Sequence, residues 1–253
     1  MILPAVLILL GLVGPALMFQ NASIIGGDEA LPGEFPYVTS LIDVRFGTKI
    51  HFCGGAVYKD CWVITAAHCV HTFTASDIKV VAGEHDRSRD EGFEQYRKVE
   101  SITKHPHYNA NTMDNDIALI KLATALHFDD YVQPITLAEE TDPLPQEFTL
   151  VGWGSNTEEG DPVDILHKVA VPRWNEADCL DALKDHYYSP GKESICAGSE
   201  QADGCLGDDG GPLVAGNKAF GLASWSVGCG RPDTPAVYTA LSTYKAWIEE
   251  ATN

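Results

Sequence analysis

Residues 65–69 read Thr65-Ala66-Ala67-His68-Cys69, a histidine set among small residues and followed at once by a cysteine. Working outward, Cys53-Gly54-Gly55 stands upstream, Asp114-Asn115-Asp116-Ile117-Ala118-Leu119 follows, and Gly207-Asp208-Asp209-Gly210-Gly211-Pro212 lies near the end of the chain. Short apolar segments separate these motifs: Ile78 to Ala82, Ile117 to Leu122, Phe148 to Trp153, Leu166 to Val171 and Phe220 to Trp225. They are rich in Val, Ile, Leu and aromatics and are bounded by Gly, Pro, Asp and Asn, which is the signature of strands and turns. Short strands at regular spacing predict an all-β sandwich or barrel. The end differs. Leu241, Tyr244, Trp247 and Ile248 recur at helical spacing around Ser242 and Thr243 and predict a C-terminal amphipathic α-helix.

The chain has 253 residues, 45% hydrophobic and 21% charged, which suits one globular domain or two tightly packed halves. Its 17 Lys+Arg against 36 Asp+Glu give a formal charge of -19. Nucleic acid and anionic membrane are excluded as favoured partners, because long-range repulsion opposes the encounter. Residues 1–19 carry no charge and are broken by Pro4 and Pro15. A span needs about 20 apolar residues, so this stretch is read as a cleaved signal peptide, with 20–23 a short pro-segment and 24–253 the folded domain. The chain is therefore expected to be secreted and soluble, and seven cysteines agree with an oxidising compartment. Asn21-Ala22-Ser23 is the one glycosylation sequon, and Asn21 is either glycosylated or removed with the stretch that processing cuts away.

The three motifs, in this order and with Ile24-Ile25-Gly26-Gly27 near the start, resemble the trypsin/chymotrypsin family of serine proteases from Ile24 to the terminal helix. The resemblance implies an all-β fold of two six-stranded antiparallel barrels with the active site in the cleft between them. It implies the disulfides Cys53–Cys69, Cys179–Cys196 and Cys205–Cys229. A further family bridge would need cysteines where Phe148 and Ala215 stand, so both partners are missing together. Cys61 is left over, as a small hydrophobe, a free thiol or a cross-link between chains; a monomer is otherwise expected.

The resemblance makes His68 the general base and Asp116 its orienting acid, with the amides of Gly207 and residue 209 as the oxyanion hole. The family's serine belongs at 209, where this chain has Asp209. A carboxylate is a weak nucleophile toward an amide, and its attack gives an anhydride. Loss of the serine costs roughly a millionfold in kcat in a related mechanism. Two carboxylates around His68 also favour imidazolium, each worth about 4 kcal/mol at ~4 Å and an effective dielectric near 20 before solvent competes. Negative charge near the oxyanion hole opposes the developing oxyanion.

By the same resemblance Asp208 pairs with the amine of Ile24 once the chain is cleaved there. Ser23 precedes that bond in place of the Lys or Arg that trypsin would cut after. Otherwise Asp208 caps a loop. Asp203 matches the acidic floor that selects Lys and Arg, with Ser226 and Ala236 at the pocket walls where trypsin has glycines; the plainer reading makes Asp203 a solvated loop carboxylate. Glu84 to Glu94 resembles the trypsin calcium loop, with Glu84 and Glu94 as carboxylate ligands, Glu91 reaching through water, and Asp86 and Arg89 giving carbonyls. In so acidic a chain these residues also suit a solvated face.

Three functions follow. The first is a secreted, non-catalytic protease homologue that binds a protein partner (protease, inhibitor or substrate-like protein) as decoy, cofactor or regulator. The second is an active trypsin-like endopeptidase cutting after Lys or Arg. The third, a zinc site of His68, Asp116 and Asp209, conflicts with the commitment of Asp116 to His68.

Overall fold

The computed structural model describes residues 25–253. The 1–19 stretch read as a signal peptide, the expected 20–23 pro-segment, Asn21 and Ile24 lie outside the described residues.

A two-residue strand β1 (Asp28–Glu29) leads into β2 (Val38–Asp43), β3 (Ile50–Lys59) and β4 (Trp62–Thr65). Helix α1 (Ala67–Val70) follows, then β5 (Ile78–Ala82), β6 (Gln95–Lys104) and β7 (Ala118–Leu122). Strands β2-β3-β4-β7-β6-β5 close into a six-stranded antiparallel barrel. Inward positions hold Leu41, Val57, Val63, Ile78, Val80, Ala118, Ile120 and Leu122, all buried. This alternation is the period-two pattern of a sheet with one face in the core.

The second half holds β8 (Thr136–Leu137), β9 (Glu147–Gly152), β10 (His167–Pro172), α2 (Glu176–Leu183), β11 (Ser194–Ala197), β12 (Pro212–Ala215), β13 (Lys218–Trp225) and β14 (Ala236–Ala240). Its ladders run β10-β9-β12-β13-β14-β11, with β1 added at the β10 edge and β8 on β13. The expected second six-stranded barrel is thus a half-barrel sheet of eight strands. Its two ends meet beyond the ladders, where Arg173 bridges Ala197 and the Trp174 and Gly198 amides donate to Cys196 and Pro172 carbonyls at 2.9 and 3.0 Å.

The strands read from sequence lie within about two residues of those observed, the usual uncertainty at an element's end. Helix α3 (Leu241–Ala251) buries Leu241, Tyr244 and Ile248, as their spacing predicts. Ser242 and Thr243 fall inside its first turn, and the cap position is Ala240. One buried cluster joins the halves: Ile64, Ile117 and Leu119 pack with Trp153, Val214, Leu222 and Tyr244. That seam holds the cleft walls at a fixed distance.

All three expected disulfides are present, with Cα–Cα distances of 6.1, 6.3 and 5.3 Å for Cys53–Cys69, Cys179–Cys196 and Cys205–Cys229. Cys61 is free. Where the fourth family bridge is missing, Phe148 is fully buried against Phe220, with ring centroids 5.5 Å apart. Ala215 stands one step beyond the Val214–Thr149 pair of the same ladder and packs into the same core cluster. Apolar contact replaces the cross-link there.

Candidate active site

The cleft is assembled from ends of barrel elements. β4 delivers α1, and the Cys53–Cys69 bridge ties that short helix back to β3. His68 is thereby held with its Nδ1 2.7 Å from Asp116 Oδ2, while its backbone N–H donates to Asp116 Oδ1 at 2.8 Å. Asp116 sits at the mouth of β7 after a tight turn in which Met113 and Asn115 adopt left-handed backbone (φ 61° and 53°). Its carboxylate also accepts from Ser224 Oγ at 2.6 Å, and its carbonyl from Thr239 Oγ1 at 3.0 Å. A buried carboxylate with three donors is fixed in place and fixes the histidine tautomer.

The opposing loop carries Asp209. Its carbonyl accepts from Gly54 N at 2.7 Å, and the Gly210 amide donates to Ala223 O at 2.8 Å. Gly210 has φ +74°, and a Cβ there would drive into Gly54 O and the Thr65 hydroxyl. Only glycine lets this loop lie on the first barrel. The amides of Gly207 (φ +104°) and Asp209 find no acceptor among the described residues, as an oxyanion hole requires. His68, Asp208, Asp209, Ser226 and Ala236 line one cavity of about 340 Å³, together with the Cys205–Cys229 bridge.

The charges compete here. Burial pulls His68 down, but its hydrogen bond to Asp116, the charge of Asp116 and the charge of Asp209 outweigh it and raise the imidazole to about 9. Burial pushes the Asp209 carboxyl up, against the pull of His68 and with the repulsion of Asp116. The Asp209 side chain has no hydrogen-bond partner among the described residues. Its influence on His68 is therefore one of charge.

Asp208 is buried, its Oδ1 accepting from Gly154 N (2.8 Å) and its Oδ2 from Cys205 N (2.9 Å). Burial raises it to about 7 against those two amides, with the charges of Asp209 and Asp203 adding to the rise. Ile25 bridges Asp203, so the chain just after Ile24 is docked beside this loop. Asp203 is 2% exposed, accepts from Gly204 N (2.9 Å) and Gly230 N (2.8 Å), and is raised by burial to about 7. The solvated-loop reading of Asp203 does not hold. Asp203 itself is not among the residues lining the cavity; of the expected pocket residues Ser226 and Ala236 are, beside Tyr238, whose buried hydroxyl lacks a partner among the described residues.

In the 84–94 loop the carboxylates are spread over loop donors. Glu94 accepts from the amides of Glu91 (2.6 Å) and Gly92 (2.8 Å), Glu91 from Asp86 N (3.1 Å) and Arg89 (2.9 Å), and Asp86 from Ser88 (2.6 Å) and Arg89 (2.8 Å). Glu84 Oε1 is buried with no partner, and burial with the charge of Glu94 raises Glu84 to about 7. An orphaned buried carboxylate oxygen is the kind of donor a hard cation takes, but the expected ligands Glu84, Glu91 and Glu94 do not lie within mutual ligand reach of one another. The side chains within mutual ligand reach among the described residues are Cys53, His68 and Cys69, and the sulfurs of that set are joined in a disulfide.

Two positioning groups escaped the sequence reading. Ser224 supports Asp116 from within a correctly read strand, where a serine beside Trp225 in an apolar run was the available signal. His51 donates to or accepts from Ser40 Oγ at 2.8 Å through Nδ1 and meets Gly207 O at 2.9 Å through Nε2. Burial and the charge of Arg87 lower it to about 4, so it is neutral and donates to that carbonyl, orienting the Gly207 peptide. Nothing local in the sequence marks a contact across 156 positions.

A histidine backed by a buried carboxylate, facing two unused amides across a cleft between β-barrel halves, is the framework of an acyl-transfer hydrolase. The sequence profile described as Trypsin matches residues 24–248. The chain is 39% identical to Trypsin-1 of Astacus astacus over 236 residues, covering 89% of this chain and 98% of that one. It is 36% identical to Serine protease 1 of Rattus norvegicus (96% and 97% covered) and 36% identical to the vitellin-degrading protease of Bombyx mori (93% and 88%). The chain belongs to the trypsin family.

Proposed function

We propose that this trypsin-family protein is a secreted, non-catalytic homologue that acts by binding a protein partner through its cleft. The observation that carries the reading is Asp209, a carboxylate in place of the serine hydroxyl, on a loop otherwise built for catalysis. Its charge adds to the larger pull of Asp116 in raising His68, which favours imidazolium over the neutral base. A cavity lined by Ser226 and Ala236, with the buried acid Asp203 outside its lining, supports at most crowded, weakened recognition of a basic side chain. The three disulfides support an oxidising destination, and no helix among the described residues is long and apolar enough to cross a membrane. Within the same reading, the 84–94 loop takes a structural Ca²⁺ at Glu84, and the partner meets a monomer.

The second reading is an active trypsin-like endopeptidase. It is favoured by the relatives' names and by the intact His68–Asp116–Ser224 network. Turnover of Lys and Arg esters by protein whose N-terminus is verified as Ile24 separates the two: none supports the homologue, and serine-protease rates support the enzyme.

A further inference from the structure

A second cavity, of about 430 Å³, opens between α2, β11 and the segment before β9, away from His68 and Asp209. Its lining is mixed: Leu144, Trp174, Leu180 and Ile195 form an apolar side, with the Cys179–Cys196 disulfide among the lining residues, and Arg173, Glu176, Lys192 and Ser194 a polar one. Leu144 and Leu180 are 49% and 41% exposed, so the cavity continues into an uncovered apolar rim. Arg173 and Lys192 also line it. Arg173 Nε donates to Pro145 O at 2.8 Å, which anchors the guanidinium while its terminal nitrogens have no acceptor among the described residues. Neither Arg173 nor Lys192 makes an ion pair there. Glu176 is the single acid on the lining and sits in the exposed first turn of α2.

This charge pattern runs against the chain as a whole, which carries 36 acids to 17 bases. Acids are plentiful, yet an anchored guanidinium and an ammonium outnumber the one acid, Glu176, on the lining and form no ion pair, beside leucine and tryptophan surface in a chamber of a size that holds small ligands. An apolar body with one anionic end satisfies both features: the body displaces water from leucine and tryptophan surface, and the anion accepts from the free edge of Arg173. We propose that this cavity is a binding site for an amphipathic monocarboxylate of fatty-acid type. The carboxylate meets Arg173 with Lys192 near it, and the tail lies along Trp174, Leu180 and Ile195. The site shares no residue with the cleft, so it stands or falls independently of the role given to Asp209.

The test is titration of the intact, disulfide-bonded protein with dodecanoate below its critical micelle concentration, read by calorimetry and by Trp fluorescence. Saturable binding at one site is expected, with dodecyltrimethylammonium, which has the same tail and the opposite charge, at least tenfold weaker. Arg173→Gln should weaken dodecanoate about tenfold or more, as loss of a charge-assisted hydrogen bond implies. Leu180→Asp, at a helix position 41% exposed, should weaken it similarly, with the melting temperature measured alongside to separate lost binding from lost folding. Equal affinity for the two detergents, unchanged affinity in both variants, or no saturable binding overturns the proposal.

Discussion

Restoring serine by Asp209→Ser, in protein whose N-terminus is Ile24, acts on two quantities at once. His68 is raised to about 9, so imidazolium predominates at pH 7. The substitution removes the Asp209 charge, one of the causes of that rise, and leaves the larger contribution of Asp116. It also supplies the hydroxyl, whose absence costs roughly a millionfold in kcat in a related mechanism, or about 8 kcal/mol of barrier. Ser226 and Ala236 line the cavity and crowd a basic side chain, and a displacement of about 1 Å at the scissile bond costs ~10²-fold. The expected net gain is therefore on the order of 10⁴-fold over the parent, with a preference for Lys and Arg esters. Asp209→Asn is the control. It removes the charge without supplying a nucleophile, so it should lower the His68 pKa in a histidine NMR titration and give no turnover. The assay is thioester hydrolysis across pH 6–9 alongside fluorophosphonate labelling. An inactive revertant with its N-terminus verified would refute the reasoning, because the defect would then extend beyond residue 209.

Ca²⁺ should raise the melting temperature, more at pH 8 than at pH 5, because Glu84 must release a proton held to about 7 before it binds a cation; Glu84→Gln should abolish the shift, and an equal shift in that variant would place the ion elsewhere. Without metal, stability should fall from pH 5 to pH 8.5. Asp203 has a folded value near 7 against an ordinary 3.8, so its contribution is full below about pH 4 and is lost as pH rises through 7; His68, raised from 6.5 to about 9, loses its contribution as pH rises through 9. For Asp203 the loss is on the order of 2 kcal/mol after relaxation, or ~4–8 °C in Tm; Asp203→Asn should make the profile shallower but not flat, because Asp208 and Glu84 are likewise raised to about 7, and a slope unchanged in that variant would contradict the assignment. Six of the seven cysteines are bridged, so thiol titration in denaturant should count one reactive group, Cys61, and a higher count would contradict the disulfide pattern.

The strands and helix α3 were legible in the sequence because their periods are local: two for a sheet facing a core, and three to four for a helix packing one face. The triad positions were legible through short motifs, since His68 and Asp209 each sit in a glycine- or alanine-rich run that only tight backbone packing requires. The half-barrel closure was not. It rests on Arg173, Trp174 and Gly198 backbone bonds, and backbone bonding leaves no mark on side-chain pattern. His51 and Ser224 escaped for a related reason. Each acts by one hydrogen bond to a group more than a hundred positions away, Gly207 O and Asp116 Oδ2, and the fold alone creates that proximity. The motif marks Asp203 as an acid, but its burial and the two amides that hold it belong to the folded loop.

The central claim is that one residue, Asp209, withholds catalysis from an otherwise assembled site. Its most direct measurement is the steady-state hydrolysis of Lys and Arg thioesters by the unaltered protein beginning at Ile24, with fluorophosphonate labelling on the same sample. The account predicts turnover indistinguishable from buffer and no label. Stoichiometric labelling, or turnover within a hundredfold of trypsin, would contradict it.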